Sequence, residues 1–238
     1  MIILMGADGM LGSMLAREMT DRHLAFSPVT YPDFDLTRPV TLKPLASLSP
    51  SVIINATGYT SVDLAESEPE KAFAVNADGV EALALFARDV GARLIHYSTD
   101  YVFSGDISRG YVESDLPSPQ SVYGKSKLAG EVAISATLDP ADWIILRSAW
   151  LYGPHGKNFV KTMLDRGSQG KDLRVVNDQI GCPTYTRDLS RWTLDLLLTD
   201  AQGIFHAVNS GTCSWYEFAT TIFSMKKMSV KVTPVPSE

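Results

Sequence analysis

The chain has 238 residues, of which 45% are hydrophobic and 20% charged, and its formal net charge at pH 7 is −6. This length and balance are typical of one globular α/β domain with a small appended lobe. The net negative charge argues against a nucleic-acid backbone as partner, and the apolar start "MIILMGADGM" is too short and too polar for a membrane span or signal peptide.

Short apolar runs alternate with helical patterns through the first two thirds of the chain. This alternation is typical of βαβ units and of a parallel sheet buried on both faces, so we predict a Rossmann-like, doubly wound α/β fold. The predicted strands are Ile2–Met5, Ala25–Val29, Val52–Asn55, Arg93–Ser98 and Trp143–Arg147. Helices are predicted at Met10–Thr20 and at Glu68–Val90, where Pro69 suits the first turn.

The pattern changes after Ser148. A glycine- and aromatic-rich loop is followed by a helix at 160–166, a strand at 173–176, a helix at 189–198 and a strand at 204–208. Ser214 and Glu217 then have the spacing of a capping box at the start of another helix. These strands are too few for a second Rossmann sheet. We therefore predict a dinucleotide-binding domain mainly over 1–148 and a substrate-binding lobe mainly over 149–238, partly interleaved.

The stretch "GADGMLG" places Gly6, Gly9 and Gly12 between the first strand and the first helix. Such glycines allow a tight turn, a close approach of the backbone to a pyrophosphate, and packing of the helix on the strand. The spacing is GxxGxxG rather than GxGxxG, so the motif alone leaves dinucleotide binding and simple turn chemistry equally open.

Two further strand ends bear on the cofactor. The third strand is followed by three small residues, Ala56, Thr57 and Gly58, which would let a ribose and pyrophosphate pass closely. The second strand lacks an immediate carboxylate for an adenosine 2′-hydroxyl, since Asp33 and Asp35 come only later. This absence favours NADP over NAD, although no arginine is present there to bind a 2′-phosphate.

Tyr123 and Lys127 are four residues apart at the start of a predicted helix, so they share one helix face. In a chain of this composition such a pair also arises by chance, and the alternative is an exposed helix turn. The position of the pair favours a catalytic role over an exposed helix turn, because the fourth strand ends at Thr99 and the next helix begins with Tyr123. We predict that Thr99 polarises a carbonyl, that Tyr123 donates a proton, and that Lys127 binds the nicotinamide ribose and lowers the pKa of Tyr123.

The sequence resembles the extended short-chain dehydrogenase/reductase family over essentially all of its length. The resemblance is carried by "GADGMLG", "NATGYTSVDLAESEPEKAFAVNADG", "HYSTDYVFSG", "SVYGKSKLAGE", "LRSAWLYG", "NFVKTML", "VNDQIGCPTY" and "SGTCSWYEFA". It implies that the residues at the cofactor, beyond those derived above, are Met10, Leu11, Asp35, Leu36, Tyr59, Thr60 and Tyr97. It implies that the sugar nucleotide is bound by Thr99, Asp100, Tyr101, Trp150 and Asn158.

The activity implied by the resemblance is NADPH- or NADH-dependent reduction of the C4 keto group of dTDP-4-dehydro-L-rhamnose to dTDP-L-rhamnose, for cell-surface polysaccharide. Relatives that act at carbon, such as nucleotide-sugar epimerases and dehydratases, place a glutamate directly after the Thr-Asp pair, where this chain has Tyr101. The alternative from another class is a non-catalytic NADP-binding protein that resembles the regulatory subunit of methionine adenosyltransferase.

Two departures from the family pattern lead to further expectations. Members usually continue for several dozen residues beyond "VTPVPSE", so the chain is expected to be truncated, with an effect on substrate affinity. Some relatives carry an acidic residue near Ser13 that serves a metal-linked dimer contact, and none is present here. We therefore expect no metal, a monomer or homodimer, and, from cysteines Cys182 and Cys213 without zinc-site spacing, a cytoplasmic protein with reduced thiols.

Overall fold

The structure is a computed structural model that describes residues 1–237. Strands in this range are β1 (Ile2–Met5), β2 (Phe26–Val29), β3 (Val52–Asn55), β4 (Arg93–Thr99), β5 (Trp143–Ser148), β6 (Leu151–Tyr152), β7 (Leu173–Val176), β8 (Ile180–Gly181), β9 (Thr184–Tyr185), β10 (Gly203–His206), β11 (Cys213–Ser214) and β12 (Val232–Val235). The α-helices are α1 (Met10–Asp21), α2 (Val62–Ser67), α3 (Pro69–Phe73), α4 (Gly79–Val90), α5 (Val122–Thr137), α6 (Phe159–Ser168), α7 (Thr186–Leu196) and α8 (Trp215–Met225). The other helical segments are 3₁₀ helices at Pro39–Leu48, Asp100–Val102 and Pro140–Asp142, and a π-helical turn at Ala74–Asp78.

The central sheet has the strand order β2-β1-β3-β4-β5-β10, and all of its neighbouring strands run parallel. The order reverses between β1 and β3, because the chain builds one half of the sheet outward from β1 and then crosses over to build the other. Ligands of doubly wound sheets bind at such a reversal, beyond the carboxyl ends of the strands. The fold therefore brings the ends of β1, β3 and β4 to one edge, as the Rossmann-like prediction requires.

Helices cover both faces of this sheet. Because successive strand residues point to opposite faces, Ile3 and Ile53 pack under α4 and α5, whereas Leu4 and Ile54 pack under α1 and α7. All four of these side chains are fully buried. The burial on both faces explains why the strands read as continuous apolar runs rather than as alternating ones.

Residues beyond 148 contribute both to the central sheet and to a separate lobe. Strand β10 extends the sheet at β5, and α7 packs on α1. A separate apolar cluster, with Met163, Leu173 and Phe223 at its centre, joins α6 and α8 to the β7–β12 pair. The predicted domain boundary at residue 148 stays a prediction.

The predicted helix at Glu68–Val90 is divided in the structure. Helices α3 and α4 are separated by the π-helical turn Ala74–Asp78. The buried side chain of Asn76 in this turn donates hydrogen bonds to the Tyr59 carbonyl and to the Ser126 hydroxyl. The hydrophobic periodicity continues through the turn, so it gave no sign of the interruption. The capping box of Ser214 and Glu217 is confirmed, with both of its reciprocal hydrogen bonds formed.

Across residues 1–237, the structure contains no helix with both the length and the apolar character needed to cross a membrane.

Candidate active site

A cleft of about 760 Å³ opens at the carboxyl edge of the sheet. It is lined by residues from the segment before Ser148 and from the segment that follows it. The residues predicted from the sequence that line it are Gly6, Gly9, Met10, Leu11, Asp35, Leu36, Ala56, Thr57, Gly58, Thr60, Tyr97, Thr99, Asp100, Tyr101, Tyr123, Lys127 and Trp150. The fold thus gathers at one place side chains from widely separated parts of the sequence.

The glycine turn forms the floor of one end of the cleft. Gly6 adopts a φ of 72°, and a Cβ there would lie 2.8 Å from Thr57 Cγ2, so only glycine fits. Gly9 donates its N–H to the Gly6 carbonyl at 3.0 Å and stands at the N-cap of α1 without a side-chain cap. The amide groups of the first turn of α1 are therefore available to an anion, as a pyrophosphate site requires.

The loop after β3 is held in place by the side chain of Asn76, which hydrogen-bonds to its backbone. Asn76 accepts a hydrogen bond from the Tyr59 N–H and donates one to the Tyr59 carbonyl, both at 2.9 Å. A Cβ on Gly58 would lie 3.3 Å from Asn76 Oδ1, so the backbone here passes close to the side chain that anchors it. This anchoring shapes the wall of the cleft beside the glycine turn.

The end of the cleft beside β2 is lined by Tyr31, Phe34, Asp35 and Leu36. The Asp35 carboxylate accepts hydrogen bonds from the N–H and hydroxyl of Thr37, which fixes this turn. Among the described residues that line the cleft there is no arginine.

Thr99 and Asp100 stand at the end of β4. The Thr99 hydroxyl donates to Asp100 Oδ1 at 3.0 Å and accepts from the Tyr101 N–H at 3.2 Å. Burial raises the pKa of the Asp100 carboxyl to about 6, and its hydrogen bond from Thr99 offsets only part of that rise. Thr99 and Asp100 therefore present to the cleft a hydroxyl and a carboxyl group that gives up its proton less readily than an exposed aspartate does.

Tyr123 lies in the first turn of α5, which is capped from two sides. Ser121 Oγ accepts from the Gly124 N–H at 3.0 Å, and Glu66 Oε1 accepts from the Val122 N–H at 2.8 Å. The rings of Tyr123 and Tyr101 make an edge-to-face contact with centroids 5.6 Å apart and planes inclined by 75°. Burial raises the pKa of the Tyr123 phenol to about 12, so the group is a protonated phenol at neutral pH.

Burial dominates the pKa of Tyr123 in the structure, and the expectation that Lys127 lowers this pKa stays a prediction. The buried amine of Lys127 donates to the Tyr97 carbonyl at 2.6 Å and lies 3.1 Å from His96 Nε2. Burial lowers the pKa of Lys127 to about 8. His96 itself is hydrogen-bonded to Asn55 of the neighbouring strand β3 and is not among the residues that line the cleft.

Trp150 lies at the far end of the cleft with a φ of 47°. Its indole stacks on Trp215 with centroids 3.4 Å apart and planes inclined by 8°. A Cβ at Gly181 would overlap this indole, so Trp150 is held between Gly181 and Trp215. Trp215 also lines the cleft but was not among the site residues predicted from the sequence, because its place there depends on the fold of the lobe, which no local pattern reveals.

Three of the predicted site residues do not line the cleft. Gly12 lies against the Gly6 carbonyl, where a Cβ would not fit, so it serves the contact of helix and strand. Tyr59 donates its hydroxyl to Glu68 at 3.0 Å. Asn158 caps α6 through the Lys161 N–H and donates to the Gly153 carbonyl. Their binding roles stay predictions.

Comparison with known proteins gives a consistent result. A family model described as the RmlD substrate binding domain matches residues 1–238. The chain is 46% identical over 202 residues to a dTDP-4-dehydrorhamnose reductase of Sinorhizobium fredii, covering 82% of this chain and 68% of that protein. It is 40% identical over 231 residues to the dTDP-4-dehydrorhamnose reductase of Escherichia coli, covering 93% and 77%.

A solved structure extends this likeness to three dimensions. It is a dTDP-4-dehydrorhamnose reductase of Bacillus anthracis in complex with NADP, with a TM-score of 0.95 and 40% sequence identity. The match covers 99% of this chain and 84% of that one.

Proposed function

Because the chain belongs to the RmlD substrate binding domain family, we propose that it is an oxidoreductase that reduces the C4 keto group of dTDP-4-dehydro-L-rhamnose to dTDP-L-rhamnose with NADPH or NADH. The product would serve cell-surface polysaccharide synthesis. The assignment of individual residues to this reaction is part of the proposal.

One observation carries the proposal. The glycine turn of α1 and the side chains of Thr99, Tyr123 and Lys127 line the same cleft. A dinucleotide whose pyrophosphate lies at the helix N-terminus would extend along the sheet edge toward Thr99. At Gly6 the glycine turn packs directly against Ala56 and Thr57 after β3, so the two strand ends that would flank the dinucleotide lie side by side.

When bound, a reduced nicotinamide supplies the hydride for the carbonyl carbon. The chain's own residues handle the carbonyl oxygen. Thr99 would turn its hydroxyl from Asp100 toward that oxygen and polarise it, and Tyr123 would give it a proton. The raised pKa of Tyr123 keeps that proton in place until the oxygen acquires charge. Lys127, one turn along α5, would stabilise the phenolate that remains.

Tyr101 supports simple reduction over chemistry at carbon. Its side chain lines the cleft and packs against Tyr123, at the position where carbon-acid relatives are expected to carry a glutamate. A phenol with a pKa raised by burial is a poor base for removing a proton from carbon. The non-catalytic alternative is not favoured, because the relatives identified are reductases.

The test is to mix the protein with NADPH and dTDP-4-dehydro-L-rhamnose and to follow the absorbance of the reduced nicotinamide. We expect its loss together with a product heavier than the substrate by two hydrogens. Running NADH in parallel gives the cofactor preference as a ratio of kcat/KM. Bound cofactor with no turnover of the sugar nucleotide would contradict the reductase and favour a binding role.

We further propose that the protein works in the cytoplasm as a monomer or homodimer. Both cysteines, Cys182 and Cys213, are free thiols in the structure, which agrees with a reducing compartment.

A further inference from the structure

A buried line of polar side chains connects β3, β4 and α5 below the cleft. Asn55 and His96 are paired across neighbouring strands, and both are fully buried. Asn55 Nδ2 lies 3.0 Å from His96 Nδ1, and His96 Nε2 lies 3.1 Å from Lys127 Nζ. The imidazole therefore links the amide of Asn55 to the amine of Lys127.

The orientation of the Asn55 amide follows from its other contact. Its Oδ1 atom accepts from the Thr57 backbone N–H at 3.1 Å. A backbone N–H can only donate, so the carboxamide oxygen must face Thr57 and the amino group must face His96. His96 Nδ1 must then accept a hydrogen bond, which places the imidazole proton on Nε2.

This proton faces Lys127. The Lys127 amine already donates to the Tyr97 carbonyl at 2.6 Å. An ammonium group has three donors and no lone pair, so it cannot accept the His96 Nε2–H. A neutral amine can accept it. The protonated form of Lys127 would place two donors against each other in a buried position, which is costly.

The surroundings of Lys127 contain one opposing influence. Glu131, one turn further on α5, favours the ammonium, but its carboxylate is engaged by Arg147 of β5 in a buried pair at 2.6 Å. His96 of β4 is in direct contact with Lys127, and the ionisable side chains that line the cleft beside it include Tyr97, Asp100, Tyr101 and Tyr123. Burial outweighs Glu131 and lowers the pKa of Lys127 to about 8.

We propose that Asn55 and His96 are positioning residues that set the protonation state of Lys127, by fixing the His96 tautomer so that its Nε2–H favours the neutral amine. The consequence for turnover rests on the proposed function. If the ammonium is the form that stabilises the Tyr123 phenolate, kcat falls as pH rises through the pKa of Lys127. Asn55 and His96 are fully buried and are not among the residues that line the cleft, so they act through Lys127.

The first test needs no turnover. Nitrogen NMR of the protein labelled with ¹⁵N-histidine, without cofactor, separates the two neutral tautomers from the imidazolium. The chain has four histidines, and loss of one signal set in His96→Phe assigns the relevant one. We expect neutral His96 with its proton on Nε2 at neutral pH. A proton on Nδ1, or an imidazolium, overturns the proposal whether or not the protein proves to be a reductase.

The second test reverses the donor and acceptor roles of the hydrogen bonds that join residue 55, His96 and Lys127, and it uses a nearly isosteric substitution. In Asn55→Asp, both side-chain oxygens only accept, so His96 must donate from Nδ1 and Nε2 becomes an acceptor for the Lys127 ammonium. We expect the Nδ1–H tautomer in the NMR spectrum and an alkaline limb of kcat that moves up by about one pH unit or more. An unchanged tautomer, or a changed tautomer with an unmoved limb, overturns the proposal.

The carboxylate that Asn55→Asp introduces would by itself favour the Lys127 ammonium. The control therefore removes the His96 imidazole, which joins residue 55 to Lys127. In the double variant Asn55→Asp with His96→Phe the carboxylate remains and the imidazole is absent. We expect most of the shift in the alkaline limb to disappear relative to His96→Phe alone. A shift of full size in the double variant would show that charge alone is responsible and would refute the role of the tautomer.

Discussion

At the scale of single residues, the chemistry of the cleft depends on how burial changes ordinary side chains. Tyr123 keeps its proton because its phenolate would be poorly solvated, whereas Lys127 loses its proton more easily because burial also disfavours its charged form. Burial thus favours the neutral form of both groups. Shifted proton affinities of this kind are typical of sites that transfer protons.

The role of Tyr123 can be tested by Tyr123→Phe, which removes only the hydroxyl. We expect NADPH binding to remain nearly intact and kcat to fall by roughly 10²–10⁴-fold, since the proton donor is lost. Binding is measured by nicotinamide fluorescence and kcat by absorbance. Turnover within a few-fold of wild type would show that another group donates the proton.

Asp100 provides a prediction about stability and pH. Its pKa is raised in the folded protein to about 6 from 3.8, so the folded state holds this proton more tightly than the unfolded chain does. Stability from this group is present below pH 3.8 and is lost as pH rises through about 6. Asp100→Asn should therefore be more stable than wild type at neutral pH, by up to about 3 kcal/mol.

Urea unfolding at several pH values checks this expectation. The advantage of Asp100→Asn should shrink toward zero as pH falls below the unfolded-state pKa. Asp33→Asn, at an exposed position, should show no such pattern. An advantage of Asp100→Asn that is constant with pH would mean that the effect is not one of ionisation.

At the scale of elements, the contact between α1 and α7 links the glycine turn to the second segment of the chain. Glu18 on α1 is buried and accepts hydrogen bonds from Arg187 at 2.7 Å and Arg191 at 3.3 Å, both on α7. Burial acts to raise the pKa of Glu18, but the two arginines outweigh it and hold that pKa below its usual value. The bridge is therefore ionised at neutral pH and fixes α7 against the helix that begins the cofactor cleft.

Glu18→Gln should destabilise the protein by about 1–2 kcal/mol at neutral pH, because the charge is lost while the arginines remain partly exposed to water. Its effect should diminish as pH falls through the lowered pKa of Glu18, since the wild-type carboxylate is then protonated too. Thermal unfolding measures both. Asp21→Asn, on the same helix in an exposed pair 4.0 Å from Arg17, is the matched control and should have almost no effect. Equal losses in the two variants would contradict the special role of the buried bridge.

At the scale of the whole molecule, the cleft is formed jointly by the early βαβ units and by residues that follow Ser148. Glycine-turn residues such as Gly9 lie in the same cleft as Trp150, Lys157 and Trp215. A ligand that fills this cleft contacts both segments only when the chain is folded. Binding should therefore stabilise the entire fold.

Saturating NADPH, at about 100 times its Kd, should stabilise the protein by about 2.7 kcal/mol and raise Tm by roughly 5–10 °C. Differential scanning fluorimetry measures the shift. Tyr123→Phe should retain it, whereas Lys127→Ala should reduce it if the amine holds the ribose. An unchanged Tm with saturating NADPH would contradict cofactor binding in this cleft.

The sequence by itself determined the order of the main strands and helices, the glycine turn and the helix that carries Tyr123 and Lys127. These features depend on local patterns: apolar runs, a fixed helix spacing, and glycines where no Cβ fits. Its motifs also indicated the family and the class of reaction.

Only the tertiary structure decided what surrounds each group. The direction of the pKa shift of Tyr123, the contact of Lys127 with His96 and the stacking of Trp215 on Trp150 all depend on residues distant in sequence. The π-helical turn at Asn76 likewise forms because its amide finds partners on a loop and on α5. Burial and hydrogen-bond partners are properties of the packed molecule, and a one-dimensional pattern contains them only indirectly.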